Sequence, residues 1–180
     1  MAAPATTMRI VACTQRQHAA AILAILNDAI INTTALYDYR ARSLRSMDDW
    51  FKLKEAGRFP VLGAFDAQEQ LMGFASYGVF RAWPANKYTV EHSVYVHRDH
   101  RGRGVARSLM QRLIASAMEQ QYHVLVGGID VTNSASIALH EQLGFTHAGT
   151  IKQAAFKFGR WLDLGFYQLI LPTPSEPVDG

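Results

Sequence analysis

Cysteine is almost missing from this sequence, and long apolar runs are missing altogether. Cys13 is the one thiol in 180 residues, so no disulfide can form within the chain, which suits a reducing compartment. No apolar run approaches the roughly 20 residues that a membrane-spanning helix needs. Residues 1–7 lack the basic start and apolar core of a secretory signal. These features predict a cytoplasmic protein without a membrane partner.

Charge is also scarce, at 18% of residues, and its balance is nearly even. Eighteen Lys and Arg against 15 Asp and Glu give a net charge of +3. This small excess suits an anionic small molecule, but it predicts no nucleic-acid partner, which would need a larger basic face. The seven histidines show no metal-ligand spacing, since His97 and His100 lie in a turn with only Asp99 nearby. We therefore predict no metal.

Internal repeats, linkers and low-complexity blocks are absent as well. The sequence predicts a single domain over residues 8–171, large enough to bury a substantial core. Residues 1–7 and 172–180 are predicted to be flexible tails, and the second tail contains Pro172, Pro174 and Pro177.

Hydrophobic periodicity predicts a mixed α/β fold in the order β-α-α-β-β-β-α-β-α-β-β. The predicted strands cover residues 8–13, 59–65, 71–79, 88–96, 122–130, 145–151 and 164–171. The predicted helices cover residues 15–31, 47–56, 104–120 and 134–143. Ser46 and Asp49 form a variant of the capping box, which places the start of the second helix at Met47.

The stretch from Thr89 to Arg107 combines an alternating β-branched strand, a basic glycine-rich turn and the start of an amphipathic helix. This arrangement commonly binds anions, because the first N–H groups of a helix have no internal partner and the helix dipole is positive there. Gly102 and Gly104 allow a phosphate to approach closely, and Arg101 and Arg103 add charge. A short glycine motif is a weak signal by itself, so a plain connection with solvated arginines is the alternative.

Several segments together resemble one known family. Arg101, Gly104 and Ala106 match the Q/R-x-x-G-x-G/A pyrophosphate loop of the GCN5-related N-acetyltransferases (GNAT). The run EHSVYV at residues 91–96 is similar to one branch, the phosphinothricin and methionine sulfoximine acetyltransferases. Residues 27–34, 133–140 and 157–163 match the same branch, and the resemblance extends over about residues 8–171. It implies the GNAT fold, a mixed and mostly antiparallel sheet flanked by about four helices.

The resemblance implies acetyl-CoA as the co-substrate. Its diphosphate would lie on the turn and its pantetheine arm along exposed backbone of the fourth strand, where a bulge would offer an N–H to the thioester oxygen. The implied cofactor-binding residues are Val94, Tyr95, Val96, Arg101, Gly102, Arg103, Gly104, Val105, Ala106, Arg107 and Asn133. Asn133 is equally a candidate N-cap for the next helix, and one residue can serve both roles.

Glu91 is the candidate general base, because a primary amine is mostly protonated at neutral pH and a carboxylate can accept its proton. Strand alternation places Glu91 on the same face as Ser93 and Tyr95. An edge-strand glutamate that faces solvent is the alternative. The resembled branch has a histidine at the position of His140, which would donate a proton, contact the cofactor or relay to Glu91. A structural helix histidine is the alternative there.

The resemblance also implies an acceptor site beside the fourth strand. The implied substrate-binding residues are Thr33, Thr34, Arg81, Ala82, Trp83, Glu91, His92 and Ser93. Arg81 has the strongest chemical rationale, because a guanidinium can bind a carboxylate or phosphinate through two hydrogen bonds. The alternatives are a solvated loop arginine and an ordinary turn at the two threonines.

The resemblance therefore predicts an N-acetyltransferase that acetylates the α-amine of a small amino-acid analogue by direct transfer from acetyl-CoA. Methionine sulfoximine, methionine sulfone and phosphinothricin are the expected acceptors. Two other functions stay open: an acetyltransferase for protein amines, and a non-catalytic acyl-CoA sensor, which has no need of Glu91. The resemblance further implies a homodimer to which Trp161 contributes. Residues 85–88 depart from the aromatic-rich stretch of the branch, which leaves the substrate preference open.

Overall fold

The computed structural model describes residues 8–179, and the tail prediction for residues 1–7 lies outside them. The strands are β1 (Arg9–Ala12), β2 (Val61–Phe65), β3 (Leu71–Val79), β4 (Thr89–Val96), β5 (Val124–Asp130), β6 (Thr146–Lys157) and β7 (Arg160–Ile170). The α-helices are α1 (Gln15–Asn32), α2 (Leu44–Ala56), α3 (Val105–Glu119) and α4 (Ser134–Gln142). Single turns of 3-10 helix lie at Pro84–Asn86 and Arg98–His100. No helix in the described part of the chain is long and apolar enough to cross a membrane.

The strands form one sheet in the order β1-β2-β3-β4-β5-β7-β6. Neighbouring strands are antiparallel except β4 and β5, which run parallel. The predicted fold class, a mixed and mostly antiparallel sheet with four helices, is therefore confirmed. β4 and β5 pair only along residues 89–91 and 124–126, and beyond this point the two strands diverge. The gap between them is where the candidate site lies.

Helices cover both faces of the sheet, and α1, α2 and α3 each bury apolar residues at helical spacing against it. The core under α3 includes Tyr77, Val90, Val105, Leu109, Met110, Leu113 and Leu125. The core under α1 and α2 includes Ile22, Ile25, Leu26, Met47, Phe51 and Phe74. Successive side chains of β4 point to opposite faces, so Val90 enters the first core and Tyr95 packs against the second.

α2 begins at Leu44, before the predicted start, so the capping-box prediction is wrong. Ser43 is the N-cap residue, and its side chain makes no capping hydrogen bond. The Ser46 hydroxyl instead donates to the Ser43 carbonyl oxygen at 2.6 Å. A serine inside the first turn can bond back to the main chain in this way, so its spacing to an acidic residue does not mark the helix boundary.

β6 and β7 extend well beyond the predicted strands at residues 145–151 and 164–171, whose bounds are wrong. The two strands stay paired as far as Lys157 opposite Arg160. Phe158 and Gly159 form the turn between them with φ values of 51° and 73°, as a two-residue type I′ hairpin turn requires. The pairing is irregular around Gln153, which has a φ of 54°. This irregularity interrupts the alternation on which the strand prediction depended.

The segment after β7 has no helix or strand through Asp179. It does contact the folded body, since the Thr173 hydroxyl donates to the Tyr122 carbonyl oxygen. The Thr173 carbonyl oxygen also lies 2.8 Å from Nδ1 of His123. The flexibility of residues 172–180 stays a prediction.

Candidate active site

The gap between β4 and β5 opens into two cavities that share part of their lining. The first, the strand cavity, has a volume of about 500 Å³ and is lined in part by Glu91, His92, Gly127 and His140. The second, the arginine cavity, has a volume of about 840 Å³ and reaches the glycine-rich turn. Both cavities are lined by Thr34, Ala35, Val94, Tyr95, Asn133 and Ser136. One cleft therefore follows β4 from Glu91 to the turn.

β4 directs main-chain groups into this cleft. The His97 N–H, just beyond the strand, donates to the Met72 carbonyl oxygen of β3. By alternation, the main-chain groups of Val94 and Val96 point away from β3, toward the gap. Arg101 reaches the Val96 carbonyl oxygen from that side, with its Nε at 3.3 Å. Tyr95 directs its main chain toward β3 and contributes its side chain to the lining of the cleft.

The predicted bulge in β4 is not found in its pairing with β3. The two strands keep one register from Val79 opposite Val90 to Gly73 opposite Val96. The gap instead arises because β5 leaves β4 after Val126. Any main-chain N–H that donates to a thioester oxygen therefore belongs to the regular part of β4 that is no longer paired with β5.

The glycine-rich turn has the open geometry that an anion needs. Gly102 and Gly104 have φ values of 73° and 77°, and a Cβ added at either would meet no atom within 4 Å. α3 starts directly after Gly104, so its first N–H groups open into the arginine cavity. Val105, Ala106 and Arg107 line this cavity with Arg101. Open space, free donors and positive charge together fit the diphosphate of acetyl-CoA.

The turn is anchored to α1 by one carboxylate that the sequence did not single out. Asp28 lies 2.6 Å from the Arg98 guanidinium and 3.3 Å from that of Arg101. Of the four arginines at the turn, all exposed, Arg101 and Arg107 line the arginine cavity, whereas Arg98 and Arg103 line neither cavity. Within residues 8–179, Arg103 has no carboxylate partner like the Asp28 of Arg98. Its position therefore suits long-range attraction of an anion more than direct contact.

Glu91 points into the strand cavity from the centre of the sheet. β4 is the fourth of seven strands, so the edge-strand part of the alternative is wrong, but the Glu91 side chain is exposed at the point where β5 leaves β4. A Cβ added to Gly128 would lie 3.4 Å from Glu91 Oε1, which places the carboxylate across the gap from β5. Burial raises the pKa of Glu91, and the nearby positive charge of Arg81 acts in the opposite direction.

His140 is buried beside His92 and not beside Glu91. Its Nδ1 lies 2.7 Å from the Ser136 carbonyl oxygen, which can only accept, so Nδ1 carries the proton. Its Nε2 then accepts from His92 Nε2, 3.2 Å away. The two rings stack with centroids 5.0 Å apart. Burial lowers the pKa of both histidines, that of His92 to about 3 with a further contribution from His140, so the pair is neutral at physiological pH.

The histidine pair needs a glycine on the neighbouring strand. A Cβ added to Gly127 of β5 would lie 2.7 Å from His92 Nε2 and 3.4 Å from His140 Nε2. Any larger residue there would have to displace buried rings. Nδ1 of His92 is buried and has no hydrogen-bond partner among residues 8–179, so this acceptor is unsatisfied.

The three predicted residues of the β3–β4 loop lie outside the lining of both cavities. Arg81, Ala82 and Trp83 are exposed, with Trp83 at 72%. Arg81 stacks on Phe80, with its guanidinium carbon 5.4 Å from the ring centre. It is nevertheless near enough to Glu91 to influence its pKa.

Thr33, Thr34 and Asn133 combine structural bonds with cavity lining. The Thr33 hydroxyl donates to the Ala29 carbonyl oxygen at 2.6 Å, and Thr33 lines the arginine cavity. Thr34 lies near enough to the Asp130 carboxylate to lower its pKa, and it lines both cavities. Asn133 is the N-cap of α4, since its Oδ1 accepts from the Ser136 N–H at 3.1 Å, and it lines both cavities. The capping role and the cleft position therefore coexist.

The two histidines closest in sequence form only a local turn contact. The Asp99 N–H donates to His97 Nδ1 at 3.3 Å, and the rings of His97 and His100 are 5.6 Å apart. Within residues 8–179, no three side chains of His, Cys, Asp or Glu are grouped so that they could hold a metal ion.

Comparison with known proteins identifies the family. A model of the acetyltransferase (GNAT) family matches residues 21–145, well over half of the chain. The chain belongs to the GNAT acetyltransferase family. It is an N-acyltransferase, and acetyl-CoA is its co-substrate. The open turn and the free edge of β4 suit that molecule.

Three individual proteins resemble this GNAT enzyme over most of its length. An L-methionine sulfoximine/L-methionine sulfone acetyltransferase of Pseudomonas aeruginosa is 47% identical over 157 residues, 87% of this chain and 91% of that protein. A solved structure from Acinetobacter baylyi is 59% identical, with a TM-score of 0.97, and covers 99% of this chain and 100% of its own. A phosphinothricin acetyltransferase of Sinorhizobium meliloti, solved with acetyl-CoA, is 28% identical, with a TM-score of 0.90 and coverage of 98% and 95%.

Lys54 is a cleft residue of this GNAT enzyme that sequence reasoning missed. It belongs to α2, lines the strand cavity, and donates to the Tyr77 carbonyl oxygen at 2.7 Å. Burial lowers its pKa to about 8. A helix lysine is usually solvated, so the sequence contains no signal that this one turns inward.

Asp130 was missed for a similar reason. Asp130 is the last residue of the apolar strand β5. Its carboxylate is nevertheless buried, and it lies 3.3 Å from Arg160 at the start of β7. Although burial alone would raise the pKa of Asp130, hydrogen bonds from Thr34 and Thr132 and the charge of Arg160 hold it below the usual value. The charged form is therefore stable beside the GNAT cleft, and it ties together three segments that are distant in sequence.

Proposed function

We propose that this GNAT enzyme acetylates the α-amine of a small amino-acid analogue of the methionine sulfoximine, methionine sulfone or phosphinothricin type. The observation that carries this proposal is the position of the Glu91 carboxylate. It lies in the strand cavity of about 500 Å³, which adjoins the arginine cavity and the glycine-rich turn. This volume is within the range of about 300–1,000 Å³ that is usual for small-molecule sites. The names of the Pseudomonas and Sinorhizobium relatives support the same acceptor class.

The arginine cavity is the proposed site of acetyl-CoA, which supplies the activated acyl group when bound. Gly102, Gly104 and the first N–H groups of α3 would hold the diphosphate, with charge from Arg101 and Arg107. The main-chain groups of Val94 and Val96 would hold the pantetheine arm by adding hydrogen bonds at an open strand edge.

The proposed reaction is direct transfer, with Glu91 as the general base. The acceptor ammonium must lose a proton before its nitrogen can attack the thioester carbonyl, and Glu91 accepts that proton. Its raised pKa makes it a stronger base than a glutamate of ordinary pKa. Cys13 lines neither cavity, and burial raises the pKa of its thiol to about 12, which argues against an acylated cysteine.

His140 is proposed to act through His92. Both of its ring nitrogens are already engaged, one with Ser136 and the other with His92. We therefore assign it the role of holding the His92 ring at the wall of the strand cavity. Ser93 lines the same cavity and would contact the acceptor beside Glu91.

Arg81 is proposed to bind the anionic group of the acceptor at the mouth of the strand cavity. Arg81 is close enough to Glu91 to affect its pKa. If the amine of the acceptor lies at Glu91, the opposite end of the acceptor can therefore contact the β3–β4 loop. Ala82 and Trp83 would border that end. Thr34, which lines both cavities, would border the acceptor from the opposite loop, and Thr33, which lines only the arginine cavity, would contact it from the side of the co-substrate. Arg81 is exposed and lines neither cavity, so it would contact only the part of the acceptor that projects from the mouth of the cavity.

The first test is thiol release from acetyl-CoA with methionine sulfoximine, phosphinothricin, methionine and a lysine peptide offered in parallel. We expect turnover with one or both of the first two, because Arg81 would favour a tetrahedral polar group over a thioether. Turnover of the peptide alone would show an acetyltransferase for protein amines. Measurable acetyl-CoA binding without turnover of any of the four would favour the sensor, and Glu91 would lose its assigned role.

A cytoplasmic homodimer is proposed as the working state. Phe156 and Trp161 are 45% and 57% exposed and pack edge to face on the β6–β7 hairpin, where they offer apolar surface to a second copy. Light scattering of the purified chain should therefore give twice the mass of one chain, and Trp161→Ser should shift it toward the monomer. A monomeric mass for the unaltered chain at assay concentrations would contradict this proposal.

A further inference from the structure

A buried ammonium joins the β6–β7 hairpin to the loop between α1 and α2. Lys157 is 5% exposed. Its Nζ lies 2.6 Å from the carbonyl oxygen of Ile30, 3.0 Å from that of Thr33 and 2.6 Å from that of Leu36. An ammonium has three hydrogens, and here each of them has an acceptor. The chain leaving α1 therefore curves around the charge of Lys157.

The electrostatics of α1 explain why a cation is stable at this place. The last carbonyl groups of a helix have no internal partner, and the helix dipole is negative there. Ile30 belongs to the last turn of α1, so the ammonium satisfies an acceptor that would otherwise be buried without a partner. Because Thr33 and Leu36 come next along the chain, the same charge also fixes the path of the loop.

This loop forms one wall of the strand cavity. Residues 34–37 line that cavity, and Thr33, Thr34 and Ala35 also line the arginine cavity, whereas Lys157 itself lines neither. A further contact holds the loop from the hairpin side, because the Tyr39 hydroxyl donates to the Phe156 carbonyl oxygen at 2.7 Å.

We propose that Lys157 is a positioning residue that shapes the acceptor wall of the cleft by holding the α1–α2 loop in place. The identity of the acceptor rests on the proposed function above, but the hold on the loop does not. The loop also borders the arginine cavity, but the groups proposed to hold acetyl-CoA, the glycine-rich turn and the main chain of β4, belong to other elements that Lys157 does not bond. Loss of the ammonium should therefore affect acceptor binding more than acetyl-CoA binding.

The test is Lys157→Met, which keeps the apolar stem and removes the charge. We expect the KM for methionine sulfoximine to rise about tenfold, while the KM for acetyl-CoA stays within about threefold. Lys152→Met is the matched control, because Lys152 is an exposed lysine on the same strand, and it should change neither KM. Lys157→Gln keeps two N–H donors, so its KM for methionine sulfoximine should lie between those of the parent and Lys157→Met. It replaces Lys157→Met in the test if that variant does not fold.

Hydrogen exchange tests the hold on the loop without any substrate. The amides of Thr33 and Ala35 bond to Ala29 and to the Thr33 hydroxyl, so they should exchange faster in Lys157→Met, while those of β4 stay unchanged. If exchange is faster in Lys157→Met but the parent enzyme turns over no amino-acid analogue, the proposed function is contradicted, whereas the positioning role of Lys157 is supported. Unchanged exchange, or an equal rise in both KM values, would overturn the positioning role.

Discussion

Glu91→Gln should lower kcat about 100-fold, within the range of about 10²–10⁴ that a general base contributes. The amide keeps the shape of the side chain but cannot accept the proton of the acceptor ammonium. Binding of acetyl-CoA should be unchanged, because the glycine-rich turn and the outward edge of β4 do not involve the Glu91 side chain. Steady-state thiol release and a separate titration with coenzyme A would measure the two quantities.

The matched control for this variant is Glu141→Gln. Glu141 is an exposed glutamate on α4 that lines neither cavity, so its loss of charge should leave kcat unchanged. If Glu91→Gln kept more than about a tenth of the parent kcat, Glu91 would not be the base. Water or another group would then have to remove the proton.

The pH dependence of kcat/KM is a second test of Glu91 as the general base. Glu91 acts as a base only when deprotonated, so kcat/KM should fall as the pH drops through its pKa. Burial raises that pKa, which places the fall at a higher pH than the value of about 4.3 for an ordinary glutamate would. Arg81 opposes the rise, so Arg81→Met should move the fall to still higher pH. Lys87→Met, an exposed cation in the same loop, should not move it.

The parts of the fold that the sequence predicted well are those with local signals. β4 alternates between buried and cleft-facing side chains, so Glu91 was correctly placed opposite Val90 and His92. α3 was predicted from its apolar spacing, and the two glycines before it marked the turn. Each of these features depends on neighbours within a few residues, which is the range over which periodicity and turn chemistry act.

The parts that sequence could not reveal depend on contacts between distant segments. His92 and His140 are 48 positions apart, and nothing in either segment predicts that their rings stack. Lys157 meets carbonyl groups more than 120 positions away. The gap between β4 and β5 likewise follows from where their pairing ends, and strand patterns do not determine register. The active-site elements could therefore be predicted, but not the bonds that position them.

Gly104→Ala should weaken binding of acetyl-CoA about 30-fold, which corresponds to about 2 kcal/mol. Gly104 is the N-cap of α3 with a φ of 77°, a conformation that costs an L-residue about 1–2 kcal/mol. Alanine would tend to leave that conformation and tilt the first N–H groups of α3 away from the diphosphate. Its Cβ would also project into space that is open in the free protein. Titration calorimetry with coenzyme A would measure the change.

Gly144→Ala separates this effect from simple backbone strain. Gly144 follows α4 with a φ of 90°, and an added Cβ would meet only Leu169 Cδ1, at 3.6 Å. The two substitutions therefore introduce a comparable left-handed alanine, and both should lower the melting temperature. Only Gly104→Ala should lose affinity, because Gly144 lines neither cavity. Equal affinity in the two variants would mean that the diphosphate does not lie on the turn, and the arginine cavity would lose its assignment as the acetyl-CoA site.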